Sequence, residues 1–399
     1  MSSKSASKFQ VLSFTSMGHF VNDGNTWVLP VAYAYMVKVY DMPEYMAGVF
    51  GLIFFGLGAL FSPVVGRLMD ATGKPVRLIG LGTLLWALGL AVFGLGVKDY
   101  SVPLAVAGAA VSGIASAFYH PLGSSALALT FEGSSGYAMG INGAMGSLGR
   151  ALYPSISTFL FAALYSNYFL SLLVLAAVSL AVTVWSLIAP EVEVRREEKK
   201  DDKGKSAVST PMKVVAMLTV VSFARSLFTQ GVSQYVGVIL VKYFGYSFGQ
   251  GLGNTITLFL LPAIIGQPFF GLMSDRAGRR LTLAVSTLGA VVSIVGFVLT
   301  GSIALLALFG FFTFSAFPLT LALTSDLVPR RSTGLANSLV WGLGTTGGGA
   351  IGPLVMGLLL AYMPLTTSVY VLSILGIISA ALTAALPRPP KRSKVPLFG

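Results

Sequence analysis

Apolar stretches of 20 or more residues follow one another along almost the whole chain, and charge is confined to the short gaps between them. A helix needs about 20 predominantly apolar residues to cross the hydrocarbon core of a bilayer. Only 10% of the 399 residues are charged and 55% are hydrophobic, whereas a soluble domain carries about 25% charge. Such a chain could not cover its surface in water, which excludes a soluble enzyme. The apolar content equally excludes a disordered chain. The sequence reads as an all-α, multi-pass membrane protein with little mass outside the bilayer. There are no cysteines and two histidines, so disulfides, thiol nucleophiles and iron–sulfur clusters are excluded. Neither a metal site nor a bound cofactor is expected. The first apolar run lacks a short hydrophobic region followed by a small-residue cleavage site, so it is expected to be the first span and not a signal peptide.

Breaks at polar residues, glycine and proline predict twelve spans, at about 10–38, 45–67, 77–97, 101–130, 135–164, 168–189, 212–243, 248–273, 281–300, 302–326, 333–362 and 366–387. An even count puts both termini on one side. Of the 26 lysines and arginines, 21 fall in the tails, the central loop and the 2–3, 8–9 and 10–11 turns, against Lys38, Lys98 and Lys242 on the other side. The positive-inside rule makes the richer side cytoplasmic, in an inner membrane with both termini inside. The net charge of +12 then reflects topology and contact with lipid headgroups, and nucleic acid is not needed as a partner. The hydrophilic segment 191–211 reads as a cytoplasmic linker. It separates an N-terminal six-helix bundle, 1–190, from a C-terminal one with its tail, 212–399.

The two halves repeat. Gly66-Arg-Leu-Met-Asp70-Ala-Thr-Gly73-Lys74 matches Gly271-Leu-Met-Ser-Asp275-Arg-Ala-Gly278-Arg279, and Phe118-Tyr-His-Pro121 matches Ser315-Ala-Phe-Pro318. A repeat of about 200 residues is the plan in which a substrate site lies between halves near the midplane. Gly66 and Gly271 would permit close helix approach. Asp70 and Asp275 would cap a helix start or pair with cations, and Gly73 and Gly278 would permit a tight turn.

This doubled G-x-x-x-D-x-x-G-[KR] turn resembles the signature loop of the major facilitator superfamily. The resemblance implies two pseudo-symmetric six-helix bundles, alternating access, a monomer, and a conformational latch at Gly66, Asp70, Gly73, Lys74, Gly271, Asp275, Gly278 and Arg279. A narrower likeness rests on Gly18-His19-Phe-Val-Asn22-Asp23-Gly24 with Leu29-Pro30, on Phe118-Tyr119-His120-Pro121, and on Phe223-Ala-Arg225-Ser226. These resemble the fosmidomycin-resistance family of drug exporters, which implies proton-coupled efflux. That family tends to carry an acidic residue after the His-Pro pair, where this chain has Leu122.

Ionisable groups deep in a span are costly and persist mainly for function. Asp23, Arg150, Arg225 and His120 all fall far from either end of their spans. Asp23 is the expected proton carrier, with His19 one turn earlier on the same face. Arginine holds carboxylate or phosphate through a planar fork, so Arg150 and Arg225 are expected to bind an anionic solute, or alternatively to pair with Asp23. His120, Tyr119, Asn22, Tyr153 and Gln234 complete the expected substrate wall, with Gln230, Tyr235 and Asn254 as further polar groups. The expected function is secondary transport of a small, anionic organic solute, driven by protons. Uptake by symport, anion exchange, divalent-metal export and a non-transporting sensor stay open as alternatives.

Overall fold

The computed structural model describes residues 8–131, 135–192, 211–329 and 333–388. The first half forms α1 (Lys8–Tyr40), α2 (Tyr45–Thr72), α3 (Pro75–Lys98), α4 (Val102–Phe131), α5 (Ser135–Ala163) and α6 (Tyr168–Ile188). The second half forms α7 (Met212–Ser233), α8 (Val236–Tyr243), α9 (Gln250–Leu260), α10 (Ala263–Ala277), α11 (Arg279–Thr300), α12 (Ile303–Ser315), α13 (Phe317–Leu327), α14 (Thr333–Leu339), a π-helical segment (Val340–Thr346), α15 (Gly347–Tyr362) and α16 (Leu365–Ala385). Most of the linker expected at 191–211, and the charged tail beyond residue 388, lie outside the described residues.

Ten stretches of described helix are long and apolar enough to cross a membrane. α1 and α5 have the length, at 33 and 29 residues, but carry the polar groups of the site described below. Four expected spans are broken inside. 212–243 is interrupted after Ser233, 248–273 at Leu261 and Pro262, 302–326 at Ala316, and 333–362 by the π segment. Proline explains two of these breaks, because Pro262 and Pro318 lack the N–H that would continue the helical ladder.

The turns between helices follow from local chemistry. Gly73 closes α2 in the left-handed region at φ 64°, its N–H bonded to Met69 O, and Pro75 opens α3 at the first helical position. Asn167 caps α6 by accepting the Leu170 N–H at 3.2 Å. Gly278, at φ 91°, joins α10 to α11. Asp70 and Asp275 do not cap the following helices, as the sequence suggested; they lie within the last turns of α2 and α10.

Each half packs chiefly on itself. In the first, α1 lies against α4 and α5, and α3 against α4 and α6. In the second, α7 lies against α15 and α16, and α11 against α12 and α16. The halves meet through α2 on α15, α5 on α9 and α1 on α8. Small residues make these contacts possible. A Cβ at Gly48 would stand 2.5 Å from Pro353 O, and one at Gly253 would stand 2.7 Å from Pro154 O. Tyr235 Oη donates to Glu44 O at 2.8 Å and Tyr243 Oη to Glu44 Oε2 at 2.6 Å. These contacts seal the face opposite the Gly66–Lys74 and Gly271–Arg279 turns. Toward those turns the halves diverge, leaving a cavity of about 530 Å³ between them.

Candidate functional site

Asp23 stands at the middle of α1, 15 residues after Lys8 and 17 before Tyr40. It is buried, and its carboxylate gathers partners from three helices. Arg150 Nη2 of α5 donates to Oδ2 at 2.8 Å. His19 Nε2, one turn back on α1, lies 3.6 Å from the same oxygen. His120 Nε2 of α4 lies 3.5 Å from Oδ1, and Asn22 Nδ2 donates to Oδ1 at 3.1 Å. Asn22 is itself fixed by the indole of Trp86, which donates to its Oδ1 at 2.9 Å.

A second layer sets the tautomer of His19. Tyr119 Oη has two acceptors in reach of its single proton, Thr15 O at 2.6 Å and Asn142 Oδ1 at 3.0 Å, and it accepts from Asn142 Nδ2 at 2.8 Å. Asn142 Oδ1 and Asn142 O then both face His19 Nδ1 at 2.9 Å. Nδ1 must carry a proton, which assigns Nε2 as the atom turned toward Asp23. The His19 ring stacks on Tyr119 at 4.5 Å. On α5, Asn142, Gly146 and Arg150 recur every four residues and share a face. A Cβ at Gly146 would strike the His19 ring, and one at Gly149 would strike the Phe20 carbonyl oxygen. The glycines of α5 are therefore what lets Arg150 reach Asp23.

The cavity wall draws on both halves. His19, Asn22, Asp23, His120 and Arg150 line it from the first, with Trp27, Phe54 and Phe55. Gln230, Gln234, Gln267, Phe314, Trp341 and Thr345 line it from the second. The guanidinium of Arg150 lies over the Phe314 ring at 5.5 Å. The His120 side chain is 59% exposed, and it projects into the opening. The wide turn of the π segment leaves Thr345 O free to accept from Ser226 Oγ at 2.6 Å, and places Trp341 and Thr345 on the wall.

Several expected wall residues lie elsewhere. Arg225 points into the core of the second half, where Nε donates to Thr287 Oγ1 at 3.1 Å and Nη2 to Thr313 O at 2.9 Å. It does not line the cavity in this structure, and its hydrogen bonds join α7 to α11 and α12. Tyr153 is buried against Gly24 and Phe20, and Tyr119 is buried with its ring stacked on His19. Tyr235 belongs to the sealed face, and Asn254 accepts from Ser155 Oγ across the α5–α9 contact at 2.8 Å. Arg225→Met is expected to lower the unfolding temperature while leaving the KM for solute unchanged. Thermal unfolding and transport kinetics on the same preparation would check this, and a raised KM at unchanged stability would return Arg225 to the wall. Asn142 was not anticipated, although a lone amide in an apolar span carries the same signal as Asp23.

The residues expected to form a latch make few contacts with one another in this structure. A Cβ at Gly66 or Gly271 would meet nothing within 4 Å, so the expected close approach is not made here. Asp70 is exposed, and no ion pair joins it among the described residues. In the second half Arg279 Nε reaches Asp326 Oδ2 at 2.5 Å, with Asp275 4.0 Å away.

Residues 15–255 and 242–398 match the Major Facilitator Superfamily. The chain belongs to that superfamily. It is 23% identical to the uncharacterized MFS-type transporter YfnC of Bacillus subtilis (strain 168), over 94% of this chain and 93% of that one. It is also 23% identical to the MFS transporter asaE of Aspergillus flavus, over 73% and 66% of the two chains. Among solved structures, a bacterial homolog of the human lysosomal transporter Spinster, inward-facing and unoccupied, superposes with a TM-score of 0.76 at 14% identity, covering 95% of this chain and 96% of that one. A point mutant of the nucleoside transporter NupG gives 0.76 at 13% identity, over 95% and 99%. At such identities the likeness is one of fold. The protein is thus a multi-pass membrane transporter of this superfamily, and not an enzyme.

Proposed function

We propose that this transporter couples proton movement to the passage of a small, acidic organic solute, by alternating access of two six-helix bundles of twelve spans. The observation that carries the reading is Asp23: a buried carboxylate, ion-paired to Arg150 and flanked by both histidines, in the wall of a cavity lined by both halves. A guanidinium has five N–H donors. Those of Arg150 not turned to Asp23 are available to a carboxylate, phosphate or phosphonate, and His120 stands beside them. Trp27, Phe54, Phe55 and Trp341 offer an apolar face to the rest of the solute. If the turns rich in Lys and Arg are cytoplasmic, the cavity opens inward, and the separated latch residues fit that state. Export of a drug or metabolite is the leading direction, from the likeness of the Gly18–Gly24 and Phe118–Pro121 motifs to exporters.

The ion pair favours a second reading. A solute anion that draws Arg150 away leaves Asp23 without its cation, so anion and proton would bind together, and linkage makes that reciprocal. Such synergy suits co-movement, as in uptake symport. One measurement separates the readings. Vesicles with an internal pH dye and an imposed pH gradient are given phosphonates, carboxylates and organic cations in turn. Proton flux evoked by anions, and lost in Asp23→Asn, supports coupling, and the sign of the pH change gives the direction. Tracer exchange that survives Asp23→Asn without proton flux would leave an anion exchanger.

The latch is tested separately. Asp70→Asn is expected to slow turnover while equilibrium binding of solute is kept. Loss of binding together with turnover would place Asp70 in a structural role.

A further inference from the structure

Two imidazoles and one carboxylate converge on the cavity wall. One ligand atom each from His19, His120 and Asp23 lies within 4.8 Å of the others. Four donors around a tetrahedral ion, with bonds of about 2.0–2.2 Å, stand about 3.4 Å apart. The Asp23 carboxylate turns Oδ1 to His120 Nε2 at 3.5 Å, already near that spacing, and its other oxygen, Oδ2, to His19 Nε2 at 3.6 Å. The surroundings also suit a metal. Asn142 O accepts from His19 Nδ1, which presents the Nε2 lone pair to the cluster. An acceptor behind a ligating histidine fixes ring and tautomer in this way at metal centres. Arg150 holds Oδ2 and leaves Oδ1, which accepts from Asn22, turned toward His120. The exposed His120 gives an approach from the cavity.

We infer that His19, His120 and Asp23 form a site for one divalent first-row transition-metal ion. The donor set, two nitrogens and one oxygen, suits Zn²⁺, Ni²⁺, Co²⁺ or Cu²⁺ and not Mg²⁺ or Ca²⁺. The neighbouring guanidinium repels a cation, so the site is a moderate one with an exchangeable ion. A bound metal takes the same three side chains that a proton would occupy, and metal and proton therefore exclude each other there.

The test uses full-length protein without a polyhistidine tag, in detergent, titrated with Co²⁺ and followed by its visible d–d absorption. The expected result is one saturating equivalent with a four-coordinate band, displaced by Zn²⁺ and untouched by Mg²⁺. His120→Ala, whose side chain lies in the opening, is expected to weaken binding about tenfold or more. Asp23→Asn is expected to do the same, and thermal unfolding would confirm that both variants are folded. Absence of a saturable band in the wild type, or equal affinity in wild type and folded His120→Ala, overturns the assignment. The readout involves no proton flux, so its outcome is independent of the transport reading.

Discussion

Arg150→Gln is expected to destabilise the protein by about 3–5 kcal/mol, because it leaves the Asp23 carboxylate buried without its cation. Asp23→Asn is expected to be costly for the converse reason. The double variant Asp23→Asn/Arg150→Gln removes both charges and should recover much of the loss. A double-mutant cycle on denaturant unfolding in detergent measures the coupling. The stability and the activity then part company. The double variant is expected to fold yet to lose proton-driven accumulation of solute, since the carboxylate proposed to carry the coupling proton is gone while the neighbouring histidines remain. Coupled accumulation by the double variant would remove Asp23 from the mechanism, and additive costs would show that the pair is not a unit.

The second large effect concerns the sealed face. Gly48 on α2 lies so close to Pro353 and Leu354 of α15 that an added Cβ would stand 2.5 Å from one backbone oxygen and 2.8 Å from a Cα. Gly48→Val is expected to wedge this contact. Overpacking costs typically about 1–3 kcal/mol, which falls on the conformer that makes the contact and shifts the population by about 5–150-fold toward the one that does not. The chain has no cysteine, so Thr26→Cys in the cavity wall provides a single label. A membrane-impermeant maleimide applied to the sealed face of oriented vesicles should modify the introduced thiol faster in the Gly48→Val background. Unchanged labelling would mean that the α2–α15 contact does not hold the seal.

The superfamily was legible in the doubled turn at Gly66–Lys74 and Gly271–Arg279, and the membrane class and the ionisable residue at the centre of α1 were legible for one shared reason. A bilayer penalises charge, so a carboxylate or guanidinium within an apolar run announces itself. Height along a helix can be counted from sequence, at about 1.5 Å per residue; the direction in which a side chain points into its bundle cannot. Arg150 and Arg225 lie at comparable depths, yet one meets Asp23 and the other meets the carbonyls of α12. The same limit hid the meeting of His120 with His19, which depends on how α4 packs against α1. Gly66 and Gly271, expected to permit close helix approach, face open space in this structure, and sequence does not say which conformer a structure shows. The breaks at Pro262 and Ala316 had a visible cause in nearby proline, whereas the π segment had none beyond a run of glycine.

That π segment has a consequence for motion. A π turn holds one residue more than the α-helical ladder needs, and each residue of an α-helix turns the next by about 100°. Were Val340–Thr346 to tighten into α-helix, the surplus residue would have to be passed along the chain, and the surface on one side of it would swivel by about that angle. Trp341 and Thr345 would leave the wall together and other side chains would take their place. The helix would act as a screw thread with a spare pitch, able to change the chemistry facing the solute while its ends stay anchored.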